Sequence, residues 1–268
     1  MDIAAYLDRI GFDGEAKADP STLRALQRAH LRAIPYENLD VLLGRPVTTD
    51  PAAAFDKLVT RRRGGWCYEM NGVFGWALDC LGFRVTRLAS GVMRSALGAA
   101  SLGNHLVLRV DWPDGATLAD VGLGDGPLEP FDVAAGPFTA GGLDFRLEAL
   151  DDGWWRLHNH PGARPPDFDF HLNHGDEDLL ALRCISLQTD PASIFVQNLI
   201  CQRFTGNGHL QLLGRVLKRT GGLETSTHLL SSAGELTDVL ADEFGLDEPA
   251  AADLWPRLCE RHAELMGN

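Results

Sequence analysis

The hydrophobic period of this chain changes once, near Phe83, and that change limits what it can fold into. Before it, apolar residues recur at helical spacing; after it, they alternate as in strands. Asp2 to Ile10 reads as a short helix closed by Gly11. Asp19-Pro20 supplies an N-cap with proline at the first helical position, opening a helix through Leu23, Leu26 and Leu31 that stops before Pro35. Asp50-Pro51 repeats the device, with Ala54, Phe55, Leu58 and Val59 on one face. A further helix runs from Cys67 to about Gly82, its buried face made by Met70, Val73, Phe74, Ala77, Leu78 and Leu81. Then come short alternating runs: Phe83 to Leu88, His105 to Val110, Thr117 to Val121, Phe145 to Leu147 and Trp154 to Leu157. Turn signals separate them at Pro113-Asp114-Gly115, Gly141-Gly142 and Asp151-Asp152-Gly153, which predicts an antiparallel barrel or sandwich. Residues 161–180 read mostly as loop, Phe195 to Arg203 as a strand, and Gly206-Asn207-Gly208 as a hairpin turn leading into His209 to Leu217. The tail, Gly234 to Phe244 and Pro249 to Met266, is helical again. The class is α+β in three parts: a helical 1–82, a β-rich 83–190 and a mixed α/β 191–268.

A chain of 268 residues, 45% hydrophobic, can bury a large core. Its net charge of −13 argues against a general nucleic-acid surface, although Arg61, Arg62 and Arg63 form a local basic run beside Cys67, either a basic pocket or a solvated helix end. No apolar run approaches the length of a membrane span, and the N-terminus has no basic-then-apolar leader pattern. The five cysteines, Cys67, Cys80, Cys184, Cys201 and Cys259, are odd in number and widely spaced, with no C-x-x-C. That is neither a disulfide framework nor a zinc ribbon, and a reducing cytoplasm is expected. Four of them sit in apolar company and read as small buried hydrophobes; Cys67 is different.

Cys67 begins a helix directly after Gly64-Gly65 and three arginines. The glycines can take positive φ and end the preceding segment, and the free N–H groups and dipole of the new helix favour a thiolate there. A cysteine nucleophile needs a base, and the base an orienting group. His105 and Asp120 stand on strands joined at Trp112-Pro113-Asp114-Gly115. With a two-residue loop, opposed positions sum to 227 or 229, so Asp120 faces Val107 or Arg109, both of the same parity as His105. The imidazole and carboxylate then share one face of one hairpin, within diagonal reach at the smaller offset. A three-residue loop would reverse the parity. A lone strand histidine is most often a hydrogen-bonded core residue, but Asp120 lies in an apolar run and a buried carboxylate requires a partner. After it, Gly122, Gly124 and Gly126 alternate, allowing another backbone or a ligand to come close.

These residues resemble the arylamine N-acetyltransferases. The R-G-G-x-C-x-E-x-N signature spans Arg63 to Asn71; Pro35-Tyr36-Glu37-Asn38-Leu39, Gly103-Asn104-His105-Leu106 and Asp120-Val121-Gly122-Leu123-Gly124 match three further elements in family order. The resemblance implies a helical bundle, a central antiparallel β-barrel and an α/β lid. It implies a triad of Cys67, His105 and Asp120, with acetyl-CoA as co-substrate and no metal. It implies a ping-pong transfer to an arylamine or hydrazine. Tyr36, Trp66 and Leu123 are candidates for the acceptor pocket, and Gly124 for contact with the acyl group or pantetheine. Leu123 stands where the family has an aromatic. Related amide synthases, which close macrolactams from a polyketide thioester on an acyl carrier protein, share the triad and are the alternative. Three rivals stand outside the family: a metal site from His158, His160, His171, His174, Asp167 and Asp169, which completes no zinc motif; a non-catalytic binding module with an inert Cys67; and a cysteine protease.

Overall fold

Asp19 and Asp50 start their helices as their chemistry predicts, their carboxylates accepting from the Thr22 and Ala52 N–H groups. The protein is described here by a computed structural model covering residues 1–222 and 224–267. Its N-terminal part holds α1 (Ile3–Ile10), α2 (Pro20–Ala33), a two-residue strand β1 (Tyr36–Glu37), α3 (Leu39–Leu42), α4 (Pro51–Phe55, continued by a π turn over Asp56–Thr60) and α5 (Cys67–Cys80). The apolar faces of α1, α2, α4 and α5 meet in one core through Tyr6, Leu23, Leu26, Phe55, Leu58, Phe74 and Leu78.

The β-rich part is one antiparallel sheet of eight strands curled around its own core. In chain order these are β2 (Val85–Val92), then after a short α6 (Arg94–Leu97), β3 (His105–Trp112), β4 (Gly115–Ala119), β5 (Phe131–Asp132), β6 (Gly136–Ala140), β7 (Leu143–Ala149), β8 (Trp154–His158) and β9 (Asp167–His171). Their spatial order is β5-β4-β3-β2-β9-β8-β7-β6, and Leu88, Val107, Leu118, Phe145, Leu157, Phe168 and Phe170 fill the interior. The expected α+β class, with a barrel-like antiparallel sheet at its centre, is what forms. α7 (Glu177–Thr189) and α8 (Ile194–Gln197) lead to the second sheet. There β10 (Ile200–Phe204), β11 (Gly208–Leu213), β12 (Val216–Gly221) and β13 (Glu224–Leu229) follow one another, and β1 adds to the edge through Tyr36 opposite Gln202. α9 (Ala233–Phe244) and α10 (Trp255–Met266) pack on this sheet through Leu236, Leu240, Phe244 and Leu258.

Several local readings need correction. Residues 161–180 are not all loop: they contain β9 and the start of α7. The strand is disguised by Asp169, whose fully buried carboxylate is held by Arg156 at 2.7 Å and Arg94 at 3.0 Å. Phe195 begins no strand, because the Ser193 side chain accepts from the Phe195 N–H and starts a helical turn; the strand begins at Ile200. Arg61 and Arg62 are solvated, but Arg63 is buried against Glu37. Cys80 is exposed at the end of α5 and Cys259 is half-buried, so only Cys184 and Cys201 are the enclosed hydrophobes expected. The stretch Glu177–Gln197 reaches the length and mean hydropathy of a membrane span, but it carries Glu177, Asp178, Arg183 and Asp190 and is no continuous apolar run. It forms two helices, interrupted between Thr189 and Ile194.

Candidate active site

The position of Cys67 starts with a tight crossing. Neither Gly64 nor Gly65 has positive φ; the left-handed residue is Arg62, at φ 52°. The glycines serve close approach instead. A Cβ on Gly64 would stand 2.2 Å from the Pro35 carbonyl oxygen, and one on Gly65 would stand 2.7 Å from Glu69 Oε2. The chain then turns into α5 at Trp66, whose N–H donates to Glu69 Oε2 at 3.2 Å, one half of a capping box. Helical acceptance begins with the Glu69 and Met70 N–H groups on the Trp66 carbonyl, which leaves the N–H groups at the front of the helix beside Cys67.

Loop 121–126 lies directly on that helix start. A Cβ on Gly122 would be 2.6 Å from Cys67 Cα and 2.9 Å from its Cβ. The hairpin before this loop pairs Trp112 with Gly115, a sum of 227, so its loop is the two residues Pro113-Asp114. His105 and Asp120 are diagonal neighbours on one face, with His105 Nε2 at 2.7 Å from Asp120 Oδ2. Cys67 completes the group, its sulfur 3.9 Å from the Asn104 carbonyl oxygen, and the three residues are 3%, 2% and 4% exposed.

Burial alone would strip His105 of its proton. The Asp120 charge and hydrogen bond, with a smaller contribution from Cys67, reverse this and push its pKa up to about 10. At neutral pH the ring is an imidazolium between a carboxylate and a sulfur. The Ser90 hydroxyl donates to the His105 carbonyl at 2.9 Å, and the Phe168 ring meets the imidazole edge-on at 5.2 Å.

Asn71, the last residue of the R-G-G-x-C-x-E-x-N motif, has a task that the motif alone does not reveal. Its amide donates to Asp120 Oδ1 at 2.8 Å and to the Leu106 carbonyl at 2.6 Å, and its oxygen accepts the Val121 N–H at 2.9 Å. Asn71 ties nucleophile helix, histidine strand and carboxylate loop together. The signal was its spacing, four residues after Cys67 and so on the same helix face. Gln27 adds a hold from α2, accepting the Asp120 N–H at 3.2 Å and donating to the Pro127 carbonyl at 3.1 Å; no local pattern pointed to it.

The pocket candidates separate. Tyr36 is buried close to the triad, Cys67 and Asp120 both acting with burial to raise its phenol pKa. Gly124, at φ 80°, sits beside it, where a Cβ would fall 1.9 Å from Gln202 Oε1. Trp66 is fully enclosed, edge-on to Tyr68 and Phe195, with no surface left for a ligand. Leu123 packs into the barrel core with Leu88, Val107 and Phe131. The histidine-rich stretch disperses among other partners: His158 to Glu148 at 2.5 Å, His160 to Asp125 at 3.0 Å, and His171 and His174 against Trp154. A cleft of about 600 Å³ opens between barrel and lid, edged by Arg28, Arg32, Phe204 and His209.

Cys67 at a helix start, the His105 ring and the Asp120 carboxylate thus stand together as one buried group. The profile of the N-acetyltransferase family matches residues 19–251. The arylamine N-acetyltransferase of Mycolicibacterium smegmatis is 38% identical over 97% of this chain and 98% of its own, and that of Escherichia coli is 32% identical over 90% and 87%. Among solved structures, M. smegmatis arylamine N-acetyltransferase superposes with a TM-score of 0.86 at 35% identity, covering 97% of this chain and 98% of that one. The Mycobacterium marinum enzyme in complex with CoA gives 0.83 at 33% identity, with the same coverage. The chain belongs to the arylamine N-acetyltransferase family. It is an enzyme of that kind, an acyltransferase consistent with acetyl transfer from acetyl-CoA. Nothing in these likenesses supports the macrolactam-forming alternative.

Proposed function

We propose that the protein acetylates arylamines or hydrazines by a ping-pong route through an acetyl-Cys67 intermediate. The single observation that carries this is the convergence of Cys67, His105 and Asp120, with a bonded His–Asp pair 2.7 Å apart in a closed site. The Cys67 thiolate adds to the acetyl-CoA carbonyl; the C–S bond to CoA breaks and the CoA sulfur takes the His105 proton. The amine then adds to the thioester, Cys67 leaves as thiolate, and the amine proton returns to His105. Asp120 keeps the ring oriented and its charge compensated throughout. N–H groups at the front of α5 suit the oxyanion of each tetrahedral intermediate.

Arg32, with Arg28 paired to Glu129 at 3.1 Å on the same wall, makes the cleft a candidate place for the phosphates of CoA. Tyr36 and Gly124 are the candidates best placed to meet acyl group and acceptor. The cysteines are free thiols, which suits a cytoplasmic enzyme.

Intact mass spectrometry after mixing with acetyl-CoA tests this reading. The wild-type chain gains one acetyl group, lost again on adding an arylamine, and Cys67→Ala gains none and does not turn over. Acetyl transfer surviving in Cys67→Ala overturns the mechanism.

A further inference from the structure

Loop 121–126 is held at both ends by an aspartate–histidine pair. Its near end is the Asp120–His105 couple, with the Gly122 N–H donating to Asp120 Oδ1 at 2.8 Å. At its far end Asp125 Oδ1 stands 3.0 Å from His160 Nε2, and Asn159 Nδ2 donates to the Asp125 carbonyl at 3.0 Å. The lid adds a third hold, His209 Nε2 donating to the Gly124 carbonyl at 3.0 Å. Between these anchors Gly122 presses on Cys67, where a Cβ would come within 2.6 Å of Cys67 Cα. The far anchors therefore fix the surface that covers the nucleophile, though none of them touches a reacting atom.

The two distal histidines differ in the protons they need. His160 Nε2 faces the Asp125 carboxylate and its Nδ1 faces the Pro161 carbonyl at 3.3 Å. Both partners only accept, so the ring satisfies both by carrying two protons. His209 needs one proton, on Nε2; its Nδ1 lies 3.7 Å from Asp125 Oδ1, beyond hydrogen-bond reach. The charged and titratable groups facing the His160 ring are Asp125 from the loop, His209 from β11 and Lys218 from β12. The Asp125 hydrogen bond, acting against burial, raises the His160 pKa, while burial lowers that of His209.

We propose that Asp125 and His160 are a positioning pair that holds loop 121–126 over Cys67 most tightly when the His160 ring is an imidazolium, and that losing one ring proton, which leaves only an uncharged Nε2–H bond to Asp125, loosens the loop and slows acetyl transfer. This rests on the acetyl-Cys67 reading above.

Steady-state kinetics across pH on the full-length chain, with the His160 ring followed by NMR and melting temperature as a fold control, test it. Wild-type kcat is expected to fall as pH rises through the titration of His160. His160→Ala should lower kcat at neutral pH by ~10-fold with little change in the amine KM, because sub-ångström misplacement beside a nucleophile acts on the chemical step. His160→Gln, whose uncharged amide donates to Asp125 but does not titrate, should behave as the deprotonated ring does: a kcat between that of His160→Ala and that of the wild type with its ring charged, and no inflection from this site. A wild-type rate and pH profile in His160→Ala, or an inflection that persists in His160→Gln, overturns the pair's role. Turnover in Cys67→Ala would instead remove the acetyl-cysteine reading; an inactive Cys67→Ala beside wild-type-like His160 variants removes the positioning pair alone.

Discussion

At the scale of single residues, the site depends as much on an absent side chain as on the reacting ones. Gly122 is needed because loop backbone and helix backbone touch, not for its φ. Its hypothetical Cβ meets Cys67 Cα and Asn71 Nδ2, both at 2.6 Å. Gly122→Ala must push the loop off the helix, disturbing Cys67 and the Asn71–Asp120 bond together. Overpacking of this kind costs ~1–3 kcal/mol of stability, and a displacement near 1 Å can cost ~100-fold in rate. Kinetics and urea unfolding of Gly122→Ala should therefore give a large loss of kcat with a modest loss of stability. Gly234→Ala, whose Cβ meets nothing closer than 3.9 Å, is the control expected to do neither. A near-wild-type kcat in Gly122→Ala would mean that the loop's closeness does not matter. The Cys67, His105 and Asp120 side chains could be singled out from sequence because local rules place them: a helix start for one and strand parity for the others. Asp125 and His160 could not. They are 35 residues apart and meet only through the curl of the barrel, which no local pattern encodes.

At the scale of elements, the β3–β4 hairpin sets the geometry of the His–Asp pair. Its two-residue loop keeps His105 and Asp120 on one face, and one added residue moves the carboxylate to the other. Replacing Pro113-Asp114 by Asn-Gly keeps the length and should keep activity, since Asn-Gly suits a two-residue hairpin. Inserting one glycine after Asp114 should lower kcat/KM by ~100-fold or more, through loss of ring orientation. An insertion variant of undiminished activity would show that Asn71 and Gln27 alone hold Asp120. The helices and the first strands were legible for the same reason the hairpin was: cap, period and turn chemistry agree along them. β9 was not, because its polar positions are Asp167, Asp169 and His171, residue types that strands disfavour, and the Arg94 and Arg156 that compensate Asp169 come from other elements. The turn at Ile194–Gln197 was hidden in the same way: Asn38 Nδ2 binds the Phe195 and Asn198 carbonyls at 2.7 and 2.8 Å, contacts that exist only once the chain has folded.

At the scale of the molecule, a buried ionic cluster joins the N-terminal helices to the C-terminal part. Lys57 meets Asp40 and Glu69 at 3.0 Å each, and Arg63 meets Glu37 at 2.8 Å. Glu248, from the segment after α9, bridges to Arg63 and to Arg45, the latter at 2.6 Å. The cations are Lys57, Arg63 and Arg45; the carboxylates are Glu37, Asp40, Glu69 and Glu248, one more than the cations. The excess falls on Glu69. Burial, with Glu37 acting in the same sense and Lys57 against it, pushes its pKa up to about 7. In the unfolded chain it returns to the ordinary value near 4.5. Its contribution to stability is thus fully present below 4.5 and is lost as pH rises through 7, by an amount on the order of 3 kcal/mol. Asp40 and Glu248 run the other way, their pKa values lowered in the fold, so what they add is lost in acid. Unfolding free energy should therefore decline from about pH 5 to 7 through Glu69 and go on declining above 6.5, where the raised His105 adds its own loss. Glu69→Gln keeps an oxygen for the Trp66 N–H and cannot ionise, so its urea-unfolding profile should lose the decline that wild type shows below pH 6.5 and keep the slope above it that His105 contributes. A wild-type slope persisting below pH 6.5 in Glu69→Gln would mean that the surplus charge is carried by another member of the cluster.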